Sequence, residues 1–180
     1  MLTQQDKDLL LRVARKSIES GFAEETPSRL ATESTIMDER VGAFVTLKKR
    51  GRLRGCIGFL EGKTPLYETI EKMAQAAAFE DPRFPPVKND ELADLDIEIS
   101  VLTPLIQIRD VGEIEVGKHG IYIVKGFHSG VLLPQVATEY NWDRITFLRE
   151  TCNKAGLPQD AWKDADTKIF IFSASVFGEK

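Results

Sequence analysis

Apolar and polar residues alternate in several short runs along the chain, and glycines separate many of these runs. Residues 43–58 read AFVTLKKRGRLRGCIG, with a strand-like run on each side of Arg50 and Gly51. Residues 120–136 read GIYIVKGFHSGVLLPQV and have a similar pattern. Two alternating runs that flank a short turn are typical of a β-hairpin. We therefore predict two hairpins, the second of them turning near residues 128–130.

Further strands are predicted where the alternation recurs outside the hairpins. In LDIEISVLTP, residues 95–104, the apolar side chains fall on one side, because alternate residues of a strand share a face. KIFIFSASVF, residues 168–177, predicts one last strand. Two shorter strands are expected at IQIRD and EIEVG, residues 106–110 and 113–117.

Three helices are predicted from apolar residues that recur every three or four positions. Thr3 is a suitable N-cap for a helix that ends at Gly21. A second helix begins at Thr64–Pro65. It ends before DPRFPP, residues 81–86, because the residue before a proline leaves helical geometry. The third helix is predicted from about 141 to 155, with Cys152 on its apolar side.

The order of these elements repeats. A hairpin, a short motif, a helix, a loop and a strand occur at about 41–104 and again at about 118–177, and such a repeat predicts an internal duplication. Residues 23–40 are predicted to be an irregular connection. The predicted fold class is α+β: one domain over residues 1–180, with a mainly antiparallel, barrel-like sheet from two related halves and helices outside.

The charge balance restricts the classes of function. The formal net charge is -4 over 180 residues, which argues against bulk nucleic-acid binding because such proteins usually carry a basic surface. Charges at Asp6, Lys7 and Asp8 interrupt any apolar segment that a signal peptide would need. No apolar run approaches the roughly 18 residues of a membrane span. We predict a cytoplasmic protein without a membrane segment.

The sequence LRGCIG, residues 53–58, contains the first candidate for chemistry. Strict alternation places Arg54, Cys56 and Gly58 on one face and turns Gly55 to the core. An arginine beside a cysteine favours the thiolate, which is the nucleophilic form. The alternative interpretation is a small apolar residue packed in a strand, since free cysteines are among the most buried residues. On these residues alone, packing is the favoured interpretation.

Two further polar groups lie at the ends of predicted elements. Asp81 and Arg83 sit in a proline-bounded turn that could hold them in fixed positions for a ligand. The alternative is a helix stop in which the two side chains pair with each other or with the backbone. His119, in GKHGI, could act as a general base for a thiol, and its alternative is a turn histidine without a catalytic role.

Other polar residues complete the predicted site. Glu98 and Ser100 share a strand face, and Gln135 follows a proline, where its amide could bind a ligand. A salt bridge for Glu98 and a strand-end contact for Gln135 are the structural alternatives. The basic run at residues 48–54 could bind phosphates, but a solvated hairpin tip is the favoured interpretation. The two histidines and two cysteines are not at metal-ligand spacing, so no metal site is predicted.

Several segments occur together in an order that resembles one known family. They are LRGCIG, AAFEDPRFPPV, IEISVLTP, GKHGIYI, GVLLPQVATEYNWD, FLRETCNKAGLP and FSASVFGE. From about residue 5 to the end, the chain resembles the AMME-syndrome candidate gene product family, the AMMECR-type domain of archaea, bacteria and eukaryotes. The pair LRGCIG and DPRFPP carries most of this resemblance.

The resemblance implies an α+β domain with a barrel-like sheet and two related halves. It also implies a cytoplasmic protein, and a functional role for Leu53, Arg54, Gly55, Cys56, Ile57 and Gly58, whose sequence matches the family's signature. Prokaryotic relatives are often encoded beside, or fused to, a Memo-type protein, which resembles extradiol dioxygenases, and a radical SAM enzyme. These two proteins are therefore the expected partners.

Two functions are compatible with these observations. In an enzyme or enzyme component, Cys56 would be the nucleophile or redox thiol, with Arg54 as its electrostatic partner and His119 as a base. The residues that would bind a small polar ligand are Asp81, Arg83, Glu98, Ser100 and Gln135. In a binding or scaffold module for a Memo-type protein, Cys56 would be a packing residue. The sequence does not identify a substrate, a reaction or a cofactor.

Overall fold

The chain folds as two units, each with its own sheet and hydrophobic core. A computed structural model describes residues 2–23 and 29–179. One unit contains the residues up to Leu102 and those from Ser175 onward, and the other is Thr103–Ala174. The irregular connection predicted at residues 23–40 lies partly outside the described residues. Its described part contains a short 3-10 helix, Thr35–Asp38.

The two units together contain eight described strands and four described α-helices. The strands are β1 (Ala43–Lys49), β2 (Arg52–Phe59), β3 (Leu95–Leu102), β4 (Ile106–Ile108), β5 (Gly120–Lys125), β6 (His128–Leu132), β7 (Lys168–Phe172) and β8 (Ala174–Gly178). The helices are α1 (Gln4–Ala23), α2 (Leu66–Phe79), α3 (Pro134–Glu139) and α4 (Arg144–Lys154). The prediction of an α+β fold with antiparallel sheets is confirmed, and the strands form two four-stranded sheets rather than one closed barrel in the described residues.

The first sheet has the order β2-β1-β3-β8, and the second has the order β4-β7-β5-β6. In the first sheet, the opening strand β1 pairs with both its hairpin partner β2 and the later strand β3. In the second, β5 pairs in the same way with β6 and with β7. The fourth strands also correspond, because β4 follows β3 along the chain but joins β7, and β8 follows β7 but joins β3. This shared topology is what a duplication would produce, and the duplication remains a prediction.

The first hairpin turns where its sequence predicts. Arg50 and Gly51 both have positive φ, 52° and 75°, and such angles suit the tight turns that join antiparallel strands. The second hairpin turns two residues earlier than predicted. Lys125 pairs with His128, so the turn is Gly126–Phe127, and Gly126 supplies the positive φ of 58°.

Two predicted strands differ from the structure. EIEVG is not a strand, because it follows the short 3-10 helix Val111–Glu113 and continues into turns. The last strand is divided at Ser173, whose backbone N–H donates to the Thr103 hydroxyl. This break ends β7 in one sheet and starts β8 in the other.

The core of the first unit lies on one face of its sheet. Val45, Leu47, Ile97 and Ile99 are all at most 1% exposed, and they belong to one cluster with the apolar sides of α1 and α2. Thr3 begins α1 as predicted, since its hydroxyl accepts a hydrogen bond from the Asp6 backbone N–H and donates to the Asp6 carboxylate. The opposite face of the sheet is therefore the one that can carry polar residues.

The core of the second unit contains the second cysteine. Cys152 is fully buried on α4 together with Phe147 and Leu148, which confirms that it lies on the apolar side of that helix. Ile145, three residues before Leu148, has helical spacing to the buried residues but is 43% exposed. The helix begins only at Arg144, with Asp143 as its N-cap, so Ile145 lies in the first turn. None of the described helices is long and apolar enough to cross a membrane.

We predict that Gly55→Ala will destabilise the protein strongly. A methyl group at this position would lie 2.0 Å from the Ala77 carbonyl oxygen of α2, so the helix or the strand has to move. Overpacking of this kind costs about 3 kcal/mol of unfolding free energy. Urea unfolding at neutral pH measures the loss.

Gly51→Asn is the matched control in the same hairpin. It adds a side chain where no atom lies within 4 Å, and asparagine tolerates positive φ. Its cost should stay below about 1 kcal/mol. Equal losses for the two variants would show that α2 does not constrain β2 at Gly55.

Candidate functional site

A β-bulge in β2 determines which side chains surround the cysteine. The pairing of β1 with β2 shifts between Leu47 and Lys48, so that Leu47 faces Gly55 and Lys48 faces Leu53. Arg54 is the additional residue that has no partner in this register. Leu53 is consequently turned to the face of Lys48 and is 45% exposed, whereas strict alternation predicts it in the core.

Arg54 does not serve as the cation beside the cysteine. Its Nε and Nη2 donate to the two carboxylate oxygens of Glu91 at 3.2 and 2.9 Å, and its Nη1 and Nη2 also donate to the carbonyl oxygens of Pro85 and Pro86. Lys49, which alternates along β1 with core-facing residues, donates to the same Glu91. The shared face predicted for Arg54 and Cys56 is therefore wrong, because the bulge interrupts the alternation.

Cys56 lies in a row of side chains that crosses three strands. Thr46 of β1 pairs with Cys56 on one side and with Glu98 of β3 on the other, so the three side chains share the face that is turned away from the helices. The Thr46 hydroxyl donates to the Cys56 sulfur at 3.2 Å. The thiol is partly exposed, while Ser100, one pleat further along β3, is only 1% exposed.

The backbone of Cys56 is held by the residues of the proline-bounded turn. Its N–H donates to Asp81 Oδ2 at 2.9 Å, and its carbonyl oxygen accepts from Arg83 Nη2 at 3.2 Å. Because β2 is the outer strand of its sheet, these two groups would otherwise lack a partner strand. Asp81 and Arg83 thus occupy the place of one residue of a neighbouring strand, and they fix the peptide that carries the thiol.

Asp81 and Arg83 also bind each other closely. Arg83 Nε donates to Asp81 Oδ1 at 3.0 Å, and Nη2 donates to Oδ2 at 2.7 Å. The arginine, together with the Cys56 and Arg83 backbone N–H groups, lowers the pKa of Asp81 far below its usual range despite the opposing effect of burial. The Asp81 carboxylate in turn raises the pKa of Arg83. The pair is permanently ionised at neutral pH, and Arg83 is the cation at Cys56.

Most of the basic residues at positions 48–54 are paired with carboxylates. Lys48 donates to Glu98 at 2.8 Å, which is the structural alternative for Glu98. In the basic run, Arg50 pairs with Asp94, and Lys49 and Arg54 pair with Glu91. A basic run that is largely neutralised by carboxylates offers little net charge to phosphates.

Glu91 was not among the residues selected from the sequence. It accepts hydrogen bonds from Arg54, Lys49 and the Lys88 backbone N–H, and these contacts lower its pKa, the Arg54 contact most of all. It thereby connects the bulge in β2 with the segment that follows the prolines. In the sequence, this role is indicated only by spacing: Glu91 lies three residues after Lys88, shortly before β3.

His119 and Gln135 belong to the second unit and have local contacts there. The His119 ring accepts a hydrogen bond at Nδ1 from the Glu115 backbone N–H, and the His119 backbone N–H donates to the Glu115 carbonyl oxygen. These contacts close a turn, which agrees with the alternative interpretation of His119 as a turn histidine. Gln135 lies in the first turn of α3, and its side-chain Oε1 is buried with no hydrogen-bond partner in the described part of the chain.

Within the first unit, the structure thus brings three of the predicted residues into direct contact: Cys56, Asp81 and Arg83. Thr46, which sequence reasoning missed, connects Cys56 to the row that includes Glu98. No group of three metal-ligating side chains is found among the described residues. The chemistry that this arrangement can support is therefore that of a partly exposed cysteine with a hydroxyl donor at its sulfur and a fixed guanidinium at its carbonyl oxygen.

The unfolding free energy is predicted to fall as the pH drops below about 4.5. In the folded protein, Asp81 and Glu91 stay ionised, whereas in the unfolded chain they titrate near their ordinary values of 3.8 and 4.5. The unfolded chain then binds more protons than the folded chain, so the folded state loses stability as the pH decreases. Urea unfolding from about pH 7 to pH 2.5 measures this dependence.

Asp81→Asn and Glu91→Gln should each flatten this pH dependence. Asp81→Asn should also cost about 2 kcal/mol at neutral pH, because it leaves Arg83 without its carboxylate. Glu61→Gln, at an exposed carboxylate after β2, is the control and should leave the slope unchanged. Identical slopes for all three variants would contradict the assigned contacts.

Proteins from archaea match almost the whole chain. A protein of Thermococcus gammatolerans is 46% identical, covering 96% of this chain and 90% of its own length. A protein of Methanothermobacter thermautotrophicus is 42% identical, with 99% and 96% covered. The crystal structure of the uncharacterised protein PH0010 of Pyrococcus horikoshii matches with a TM-score of 0.89 at 43% identity, covering 95% of this chain and 90% of that one. The family model AMMECR1 matches residues 11–177, and the chain belongs to the AMMECR1 family.

Proposed function

We propose that the polar face around Cys56 is the reactive site of an enzyme or enzyme component that acts on a small polar substrate. Cys56 is the nucleophile in this proposal. The observation that carries it is the clamp on the Cys56 peptide, in which Asp81 accepts from its N–H and Arg83 donates to its carbonyl oxygen. A cysteine needed only for packing does not require both its backbone N–H and its carbonyl oxygen to be bound by one ion pair.

The neighbours of the sulfur support the same role. Thr46 donates to the sulfur, and a thiolate accepts such a bond readily. Arg83 supplies the positive charge that the sequence argument assigns to Arg54. A cysteine with a hydroxyl donor at its sulfur and a guanidinium at its carbonyl oxygen matches the surroundings of reactive cysteines. Glu98, whose side chain is 27% exposed, lies on the same face and is positioned to contact polar groups of a substrate.

We predict that limiting iodoacetamide at neutral pH modifies native protein mainly at Cys56. Cys152 is the internal control, because it is fully buried and burial raises the pKa of its thiol. It should react only after denaturation. Peptide mass mapping of the alkylated protein measures both sites in one sample.

The variants Thr46→Val and Cys56→Ser sharpen this test. Thr46→Val removes the hydroxyl donor and should slow the alkylation of Cys56 by about tenfold, the effect of one hydrogen bond of moderate strength. Cys56→Ser should abolish native labelling altogether. If both cysteines of the wild-type protein stay protected until unfolding, Cys56 is a packing residue and the proposed function is wrong.

Recognition of a partner protein is the second candidate function, and one observation favours it. Two large apolar residues are exposed on the face of the sheet that carries Cys56. Leu53 is 45% exposed because of the bulge, and Val176 is 40% exposed on β8, where its neighbour Phe177 packs against the core. Leu53 and Val176 lie on the two outer strands of this sheet, so a partner that contacts both side chains would cover the whole face. The family resemblance makes a Memo-type protein the first partner to test.

For this second candidate, we expect the chain to form a complex with a Memo-type protein at micromolar concentration. Leu53→Glu should weaken the complex at least about tenfold, since it places a charge where an apolar contact is required. Cys56→Ala is the control and should bind as the wild type does. Analytical ultracentrifugation detects the complex, and its absence for the wild type would remove this candidate.

A further inference from the structure

Arg83 has hydrogen-bond donors that the described residues do not use. A guanidinium carries five N–H groups. Nε and Nη2 donate to Asp81, and Nη2 also donates to the Cys56 carbonyl oxygen. Nη1 has no acceptor within residues 2–23 and 29–179, and the Arg83 side chain is 50% exposed. Two donors on Nη1 therefore remain for a ligand.

The orientation of this guanidinium is fixed. Its two bonds to Asp81 hold the plane of the group, and the ring of Phe84 lies 5.5 Å from it. Asp81 is 4% exposed, and its two oxygens are occupied by Arg83 and by the Cys56 N–H. The negative member of the pair is thus turned inward and the positive member is partly turned to solvent. A fixed donor costs a ligand less ordering than a mobile arginine does.

The arrangement of the two charges of the Asp81–Arg83 pair determines which anions bind best. A monoanion gains hydrogen bonds from Nη1 and attraction from the guanidinium. The Asp81 carboxylate lies directly behind the same guanidinium, with 2.7 Å between Nη2 and Oδ2, and it lowers the positive potential that any anion meets. This weakened attraction offsets the large desolvation cost of a dianion such as phosphate less well than the smaller cost of a monoanion.

We infer that the site takes a small substrate with a carboxylate group, which binds Nη1 of Arg83 and places an electrophilic carbon at the sulfur of Cys56. This inference rests on the proposed function, since it assigns a class of substrate to the same cysteine. It makes Arg83 a specificity-determining residue as well as a structural one. Asp81 acts through Arg83 as a positioning residue.

Two alkylating reagents that differ in one charge test this inference. Iodoacetate carries a carboxylate where iodoacetamide carries a neutral amide. With either reagent, the Cys56 thiolate forms a sulfur–carbon bond to the CH2 group, the carbon–iodine bond breaks, and iodide leaves. The quantity measured is the ratio of the two second-order rates at Cys56, compared with the same ratio for glutathione in the same buffer. Peptide mass mapping gives both rates.

The rate ratio of iodoacetate to iodoacetamide should be about fivefold higher at Cys56 than for glutathione, which corresponds to one exposed charge-assisted contact. Arg83→Gln should return the ratio to the glutathione value. Arg52→Gln is the matched control, because Arg52 is an exposed arginine of β2, the strand that carries Cys56. It should keep the wild-type ratio. Circular dichroism checks that each variant is folded.

A measurement on the wild-type protein keeps the test decisive if Arg83→Gln does not fold. Millimolar acetate should slow the reaction of Cys56 with iodoacetamide more than inorganic phosphate does at equal ionic strength. Stronger protection by phosphate would overturn the assignment of a carboxylate. If native Cys56 reacts with both reagents and its ratio of iodoacetate rate to iodoacetamide rate equals that of glutathione, this inference alone is overturned. If native Cys56 reacts with neither reagent, the proposed function itself is overturned.

Discussion

The close approach of α2 to β2 at Gly55 is the constraint on which the site depends. A methyl group there would lie 2.0 Å from the Ala77 carbonyl oxygen, so the strand can lie against the helix only where it has no side chain. With Gly55 facing the helix, strand alternation turns Cys56 to the other face. The core contact thus determines the direction of the cysteine before any polar group acts on it.

Two further features refine the position of the thiol. The bulge at Arg54 sets Thr46 opposite Cys56, and the ion pair Asp81–Arg83 satisfies the outer backbone groups of the same residue. The pair also protects an edge strand from pairing with another chain, which exposed backbone groups otherwise invite. One ion pair therefore has a structural role for the sheet and a positioning role for the sulfur, and neither role excludes the other.

The sequence predicts the fold better than it predicts the site. The alternation in residues 43–58 and 95–102 predicts the hairpin and the third strand, because each strand has one buried face. No alternation of apolar and polar residues predicts the bulge. If the register continued unbroken from the pair Lys49–Arg52, Thr46 would lie opposite Gly55, and Arg54 and Cys56 would share a strand face. That one-residue shift explains why Arg54 was chosen as the cation and why Thr46 and Glu91 were missed. DPRFPP did mark Asp81 and Arg83, since Pro82 lies between them and Pro85 and Pro86 follow them.

The two interpretations of Cys56 differ in the contacts that each of them requires. A packing cysteine needs apolar neighbours, and Cys152 has them: it is fully buried with Phe147 and Leu148. Cys56 is partly exposed, and its described polar contacts come from a hydroxyl, a carboxylate and a guanidinium. Burying a carboxylate such as Asp81 is costly unless it is fully paired. Its partners are the Cys56 backbone N–H and Arg83. A chain that needed only a closed sheet edge could achieve this with backbone contacts, so the placement of a charged pair at this cysteine favours chemistry at the sulfur.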